Sequence, residues 1–302
     1  MVAALKYIGL SLGCVYALVA LGLTLVYRTS GVLNFAQGGF VMAAGLVAAW
    51  TSGQAGLPAI VAMLAGVAAA TAAGLVLAAV IIPLWRRRAA EFEVILVTLL
   101  FLLALENLCL NLLGSQPRSL PPLYEGAIRL PGVNVPVQYL VLFAVTLALA
   151  YFSRWLLYHS DTGLAMRAVA ENPLVARILR IRPEKVGGLA IVGTALVAGA
   201  GGVLIAPIQY SAFNLGVVYS VKGFTAAILG GFGSVHGAVA GGLVLGLLGE
   251  DDPPGLLLID PHLNLSDAVL QAALRHPRVR TRLLVAGPDC APLGVPLNLC
   301  CA

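Results

Sequence analysis

The side chains equipped for chemistry are few in this sequence. They are amides, hydroxyls and guanidinium groups rather than paired acids or nucleophiles. Asn34 and Gln37 stand three apart in Leu33-Asn34-Phe35-Ala36-Gln37-Gly38-Gly39-Phe40, a spacing that places both amides on one face of a helix. Amides beside an apolar run are costly unless paired or solvated. Two readings follow: the pair lines or gates a polar path, or Asn34 caps a helix that starts at a membrane interface. Glu106, with Asn107, lies inside another apolar run, where a carboxylate faces a cavity or reaches back toward the surface. His236 stands alone and reads as a packed or interfacial histidine. No Ser/His/Asp or Cys/His arrangement and no metal-ligand spacing is present, so the sequence offers no catalytic residue and no metal site. The lack of a series of buried carboxylates also disfavours a proton-coupled carrier.

A second stretch carries charge. The loop 158–185 holds Arg167, Arg177, Arg180, Arg182 and Lys185. Asp161 or Thr162 can cap a helix over residues 164–170. Asn172-Pro173 then restarts the chain, with Asn as N-cap and Pro at the first helical position. The short helix that follows sets Leu174, Ile178 and Ile181 on one face, with Arg177 and Arg180 beside them. That apolar stripe needs a surface to bury it, either a groove on a soluble partner or the membrane interface.

The third stretch runs from Lys222 through Thr225 to Gly237 and contains Gly230-Gly231-Phe232-Gly233-Ser234. Its glycine density superficially resembles a phosphate-binding loop. It lacks the closing Gly-Lys-Ser/Thr and sits among apolar residues, so a break within a membrane helix is the better reading. Gly233, Gly237 and Gly241 recur at every fourth position, with Gly242 and Gly246 beside them. Gly9, Gly13 and Ala17 do the same in the first apolar segment. Both rows are surfaces for close helix contact.

The elements that hold these stretches are membrane helices. Of the 302 residues 60% are hydrophobic and 10% charged, less than half the charge that soluble domains carry. Apolar segments fall at 5–27, 33–50, 57–84, 92–113, 137–157, 186–207 and 217–249, and the last exceeds one span. The sequence therefore predicts an all-α, polytopic membrane helix bundle of about seven to eight segments. The first segment is too long for a signal-peptide core and reads as a span. The net charge of +5 sits in short clusters between apolar runs, which argues against a nucleic-acid partner. Arg86, Arg87 and Arg88 and the 158–185 loop belong inside by the positive-inside rule. The proline-rich loop 114–136 belongs outside, as does the N-terminus. Cys14 and Cys109 lie in hydrophobic runs and read as small core residues.

Three motifs in order resemble a known family, the permeases of branched-chain amino acid ABC importers of the LivH type. Gly22-Leu23-Thr24-Leu25-Val26-Tyr27, followed by Gly31-Val32-Leu33-Asn34-Phe35-Ala36-Gln37-Gly38, is similar to the family's opening signature. Arg167-Ala168-Val169-Ala170-Glu171-Asn172-Pro173 with Ala176 resembles its cytoplasmic loop. Gly223-Phe224-Thr225-Ala226-Ala227-Ile228-Leu229-Gly230-Gly231-Phe232-Gly233-Ser234 resembles its late glycine-rich segment. The resemblance covers roughly residues 5–249. It implies a permease domain at 1–249 in a bacterial inner (plasma) membrane. Asn34, Phe35, Gln37, Gly38 and Thr225 would lie by the translocation path. Arg167, Ala168, Glu171, Asn172, Pro173, Ala176 and Ile178 would form the docking loop for an ATPase. Gly230, Gly231, Gly233, Gly237 and Gly241 would form the helix break and its packing face. It further implies ATP-binding subunits, a second related permease and a periplasmic substrate-binding protein as partners, with lipid around them. The chain itself would bind no cofactor and catalyse nothing, because ATP is used by the partner subunit. The cycle would be alternating access.

The resemblance stops near Glu250. The remaining residues hold seven prolines, four arginines and three of the five cysteines, and no apolar run in them reaches half a span. Residues 264–275 fit a short soluble helix capped by Asn264 or Ser266. The segment 250–302 reads as a divergent, non-membrane tail, either disordered or produced by a change of reading frame. Two rival functions stand beside the importer. One is an ABC permease for urea, small amides or sugars. The other is a stand-alone secondary transporter, which would need no docking loop.

Overall fold

In a computed structural model, residues 2–87, 89–122, 126–130 and 133–248 are described. Ten helices lie among these residues: α1 (Val2–Ser30), α2 (Gln37–Ala55), α3 (Ala59–Arg86), α4 (Glu91–Leu113), α5 (Val137–His159), α6 (Asp161–Glu171), α7 (Pro173–Ile178), α8 (Pro183–Ile205), α9 (Leu215–Leu229) and α10 (Val235–Leu248). Five of them, α1, α3, α4, α5 and α8, are long and apolar enough to cross a membrane. With α2, α9 and α10 they form the polytopic helical bundle that the sequence predicts. The expected helix at 264–275 and the rest of the tail lie outside the described residues.

Burial separates the centre of the bundle from its rim. The apolar windows of α1 and α8 are 83% and 72% buried, against 28%, 22% and 28% for α3, α4 and α5. Along α1, residues 14–21 are nearly sealed from the surface, from Cys14 to Leu21. The rim helices present Ile60, Leu64, Leu100, Leu112 and Phe152 outward. In water such faces would be an aggregation hazard; against lipid they are solvated.

Glycine sets how closely the central helices approach. A Cβ on Gly242 would strike the Ala17 backbone, and one on Gly246 the Gly13 backbone. Gly230 and Gly237 face one another so closely that a Cβ on either would meet the other's carbonyl. The small-residue face of α10 is thus filled by α1 on one side and by α9 on the other. Gly233 is a departure from expectation. It belongs to the turn rather than the helix face, and its φ of 96°, like 84° at Gly231, requires glycine.

The broken segment at 217–249 resolves into α9 and α10. At 15 and 14 residues each is about 22 Å long, short of the ~30 Å hydrocarbon core. Tyr219 sits by Tyr16, Gly223 by Val19 and Phe232 by Tyr27, so α9 runs parallel to α1. Gly242 against Ala17 and Gly246 against Gly13 make α10 antiparallel to it. In the proline-rich connection, two short strands not foreseen from the sequence, β1 (Ala127–Leu130) and β2 (Val133–Pro136), pair antiparallel. The same connection is tied to the 206–214 loop by backbone bonds between Arg118 and Ser211 at 3.0 and 2.7 Å.

The packing predicts a clean contrast between glycines. Gly242→Leu overpacks the α1–α10 contact and should destabilise the folded protein by about 1–3 kcal/mol. Gly53→Ala, in α2 with nothing near its missing Cβ, should be neutral or stabilise by roughly 0.5–1 kcal/mol. Thermal aggregation followed by fluorescence-detected size-exclusion chromatography checks both. Equal loss for the two variants would contradict the assignment.

Candidate functional site

The first site is a helix start inside the bundle. After α1 ends at Ser30 the chain turns at Gly31, whose φ is 73°, and runs back without helix to Ala36. Gly22 and Gln37 are in close contact. Gly22 lies eight residues, about 12 Å at 1.5 Å per residue, before the end of α1. So α2 begins at depth, where no water satisfies its free N–H groups.

Side chains from two other helices bond the Gly38 N–H and the Phe35 backbone just before α2. The Gly38 N–H donates to Ser220 Oγ at 3.1 Å, and that hydroxyl donates to the Phe35 carbonyl at 2.6 Å. The Phe35 N–H donates to Thr98 Oγ1 at 3.2 Å. Asn34 Oδ1 accepts from the Ala36 N–H at 3.1 Å. The start of α9 is held in a similar way, with the Val217 N–H donating to Glu106 Oε1 at 2.9 Å. Glu106 is half-buried, and its carboxylate reaches across to α9. It sits at the positive end of a half-length helix, where a carboxylate is favoured.

These contacts bear on the sequence-derived residues individually. Asn34 and Gln37 are 1% and 0% exposed, but they do not share a helix, because the N-cap position of α2 is Ala36 and Asn34 makes a local turn before it. Among the described residues, Asn34 Nδ2, both polar atoms of Gln37 and Thr24 Oγ1 are buried without a hydrogen-bond partner. Gly38 packs against Gly216 and Ser220, where no side chain would fit. Phe35 lies 5.3 Å from the Phe224 ring, Phe224 5.9 Å from Phe232, and Phe232 4.8 Å from Tyr27. This aromatic row runs from the start of α2 to the C-terminal end of α1. Thr225 donates to the Val221 carbonyl of its own helix at 3.0 Å.

Sequence reasoning missed three participants. Ser220 and Thr98 carried no signal, since single hydroxyls in apolar runs are common. Lys222 did carry one, a cation at the middle of a 15-residue apolar helix. Its ammonium lies 5.5 Å from the centre of the Tyr16 ring.

The second site is the loop between α5 and α8. The N-cap of α6 is Ser160, one residue before the expected Asp161 or Thr162; its Oγ accepts from the Gly163 N–H at 3.0 Å. Asp161 instead occupies the first turn, where its charge suits the helix dipole. Asn172 caps α7 as expected, accepting from the Leu174 and Val175 N–H groups, with Pro173 at the start. Ile181 falls beyond α7, in the turn that ends it. Leu174, Ile178 and Leu179 project outward at 63%, 80% and 64% exposure, whereas Ala176 is buried. Glu171, Asn172 and Pro173 are exposed, and Ala168 is half-buried. Arg167 is not free, because its guanidinium lies 5.4 Å from the Tyr158 ring centre, beside that of Arg154 at 5.1 Å. Arg154 also contacts His236 Nδ1 at 3.2 Å, which ties the end of α5 to the start of α10.

A bundle with half-length helices meeting at depth, and an exposed apolar helix at its basic end, defines a membrane permease. The chain matches the family of permease components of branched-chain amino acid transport systems over residues 7–251. It belongs to that family. It is 30% identical over 256 residues to the high-affinity branched-chain amino acid transport permease BraD of Pseudomonas aeruginosa, covering 79% of this chain and 82% of that one. It is 31% identical over 265 residues to the LivH permease of Escherichia coli K12, with the same coverage. A probable LivH permease of Methanocaldococcus jannaschii is 28% identical over 239 residues, covering 76% and 74%. No solved structure matches the chain.

The helix-start network predicts that Ser220→Ala, which unpairs two buried backbone groups, destabilises the fold by about 1–3 kcal/mol. Thr225→Ala, which loses one bond within its own helix, should change stability by less than about 0.5 kcal/mol. Thermal unfolding of the purified variants separates the two, and equal effects would contradict the network.

Proposed function

We propose that this chain is the membrane-spanning subunit of an ATP-driven importer for branched-chain amino acids in a bacterial inner membrane. ATP-binding subunits dock on α6 and α7 from inside. A second related permease completes the pathway, and a periplasmic substrate-binding protein delivers the cargo. The chain provides the path and hydrolyses nothing.

The observation that carries this reading is α7. It is six residues long, capped at both ends, and holds Leu174 and Ile178 away from the bundle. A helix so short is not stable on its own and exposes apolar side chains at a cost, unless a partner covers them. Basic residues around it place it on the inner side. Family membership and the relatives' names support the substrate class.

In the proposed cycle, closure of the ATPase pair moves α7. The ring contacts of Arg154 and Arg167 with Tyr158, and the Arg154–His236 contact, connect that movement to α5 and α10. The Gly230–Ser234 turn joins α10 to α9, and α9 holds the start of α2 through Ser220. The aromatic row from Phe35 to Tyr27 lies along the inner half of the path.

Ile178→Glu should weaken retention of the ATP-binding subunit by at least about 30-fold, the effect of a roughly 2 kcal/mol interface anchor. The variant should still insert in the membrane and elute as a single species. Affinity co-purification measures the loss; retention equal to that of the unmodified chain would contradict docking at α7. Uptake of labelled leucine by the assembled transporter should be competed by isoleucine and valine. Competition by urea or a sugar, and by neither amino acid, would overturn the substrate class.

A further inference from the structure

Between the ends of α3 and α8, beside the proposed docking helix α7, the structure holds a cleft. It is lined by Arg86 from α3, Arg177 and Arg180 from the end of α7, and Arg182, Glu184 and Lys185 from the turn into α8. Five cations thus meet one carboxylate. That carboxylate is taken, because Glu184 pairs with Arg177. Among the described residues the other four cations have no ion-pair partner.

The backbone supplies a second, independent observation. The α7 helix ends in a two-bond turn in which the Ile181 N–H donates to the Ala176 carbonyl at 2.9 Å and the Arg180 N–H to the Arg177 carbonyl at 3.0 Å. That turn places its central residue in the left-handed region, a position normally filled by glycine. Here it is Arg180, with φ 62°, the one non-glycine residue with positive φ among the described residues. Glycine would make this turn without strain. Arginine keeps the strained conformation at a position that lines the cleft, as expected where the side chain itself is used.

We propose that this cleft binds the phosphate-bearing headgroup of an anionic phospholipid of the inner leaflet. Its position favours lipid over a soluble anion. The cleft lies at the basic ends of α3 and α8, two helices long and apolar enough to cross a membrane. Val80 on α3 and Leu189 on α8 are both exposed, about one to two helical turns along their helices from Arg86 and Lys185. Basic pockets between helix ends on the cytoplasmic side suit such headgroups, each nearby cation contributing about a fivefold preference.

Trp85 reports on the site. It precedes Arg86 and packs against Gly187, just beyond Lys185. The experiment uses the full chain with Trp50→Phe and Trp155→Phe, in mixed micelles containing phosphatidylglycerol or phosphatidylcholine brominated on the acyl chain. Phosphatidylglycerol should quench Trp85 at a mole fraction at least about tenfold lower, and excess inorganic phosphate should not remove that preference. Arg180→Gly should reduce the preference about fivefold without lowering the melting temperature, because it relieves the turn. Arg86→Gln, on the opposite wall, should reduce it similarly. Equal quenching by the two lipids would overturn the proposal. So would loss of the preference in phosphate, which would make the cleft a site for a free anion. An Arg180→Gly chain that keeps the lipid preference but no longer retains an ATP-binding subunit would assign the cleft to a protein interface and overturn it as well.

Discussion

The constraint on which this structure depends is that backbone polar groups inside lipid must find partners within the protein. Continuous helices meet it automatically. This chain breaks the rule at two helix starts, those of α2 and α9, and then repairs each with a side chain from elsewhere. Ser220 of α9 bridges the Gly38 N–H and the Phe35 carbonyl, Thr98 of α4 takes the Phe35 N–H, and Glu106 of α4 takes the Val217 N–H. Three helices distant in sequence, α2, α4 and α9, are thereby tied together. The half-length α9 and α10 can exist because their neighbours complete them.

From those ties the rest of the architecture follows. The close approach of α1, α9 and α10 needs glycine on the facing surfaces, and the chain supplies it at Gly13, Gly223, Gly230, Gly237, Gly242 and Gly246. The centre is packed too tightly for anything larger. Against that packing stand buried atoms of Asn34, Gln37 and Thr24 with no protein partner. Each such atom raises the energy of this arrangement by roughly 1–3 kcal/mol.

Much of the fold is legible in the sequence because hydropathy, glycine spacing and Asn-Pro capping are local signals. The run at 217–249 is too long for one helix and contains Gly231 and Gly233, and it does break there. Asn172-Pro173 announces α7, which starts there. The site was only half legible. The spacing of Asn34 and Gln37 suggested a shared helix face, yet Gly31 and the packing of Gly38 against Gly216 move the helix start past Asn34. The role of Ser220 depends on a contact 182 residues away in sequence, and no periodicity encodes it. The contact of the Arg167 guanidinium with the Tyr158 ring joins two different helices, and no local spacing encodes it.

The most direct test is hydrogen–deuterium exchange, read by mass spectrometry, across the residues 33–40 of the intact chain in lipid nanodiscs. If the helix start is held at depth by Ser220 and Thr98, the amides of Phe35, Ala36 and Gly38 exchange as slowly as those in the middle of α2, although the segment 31–36 is not helical. Exchange there as fast as in an unstructured peptide of the same sequence would contradict the account.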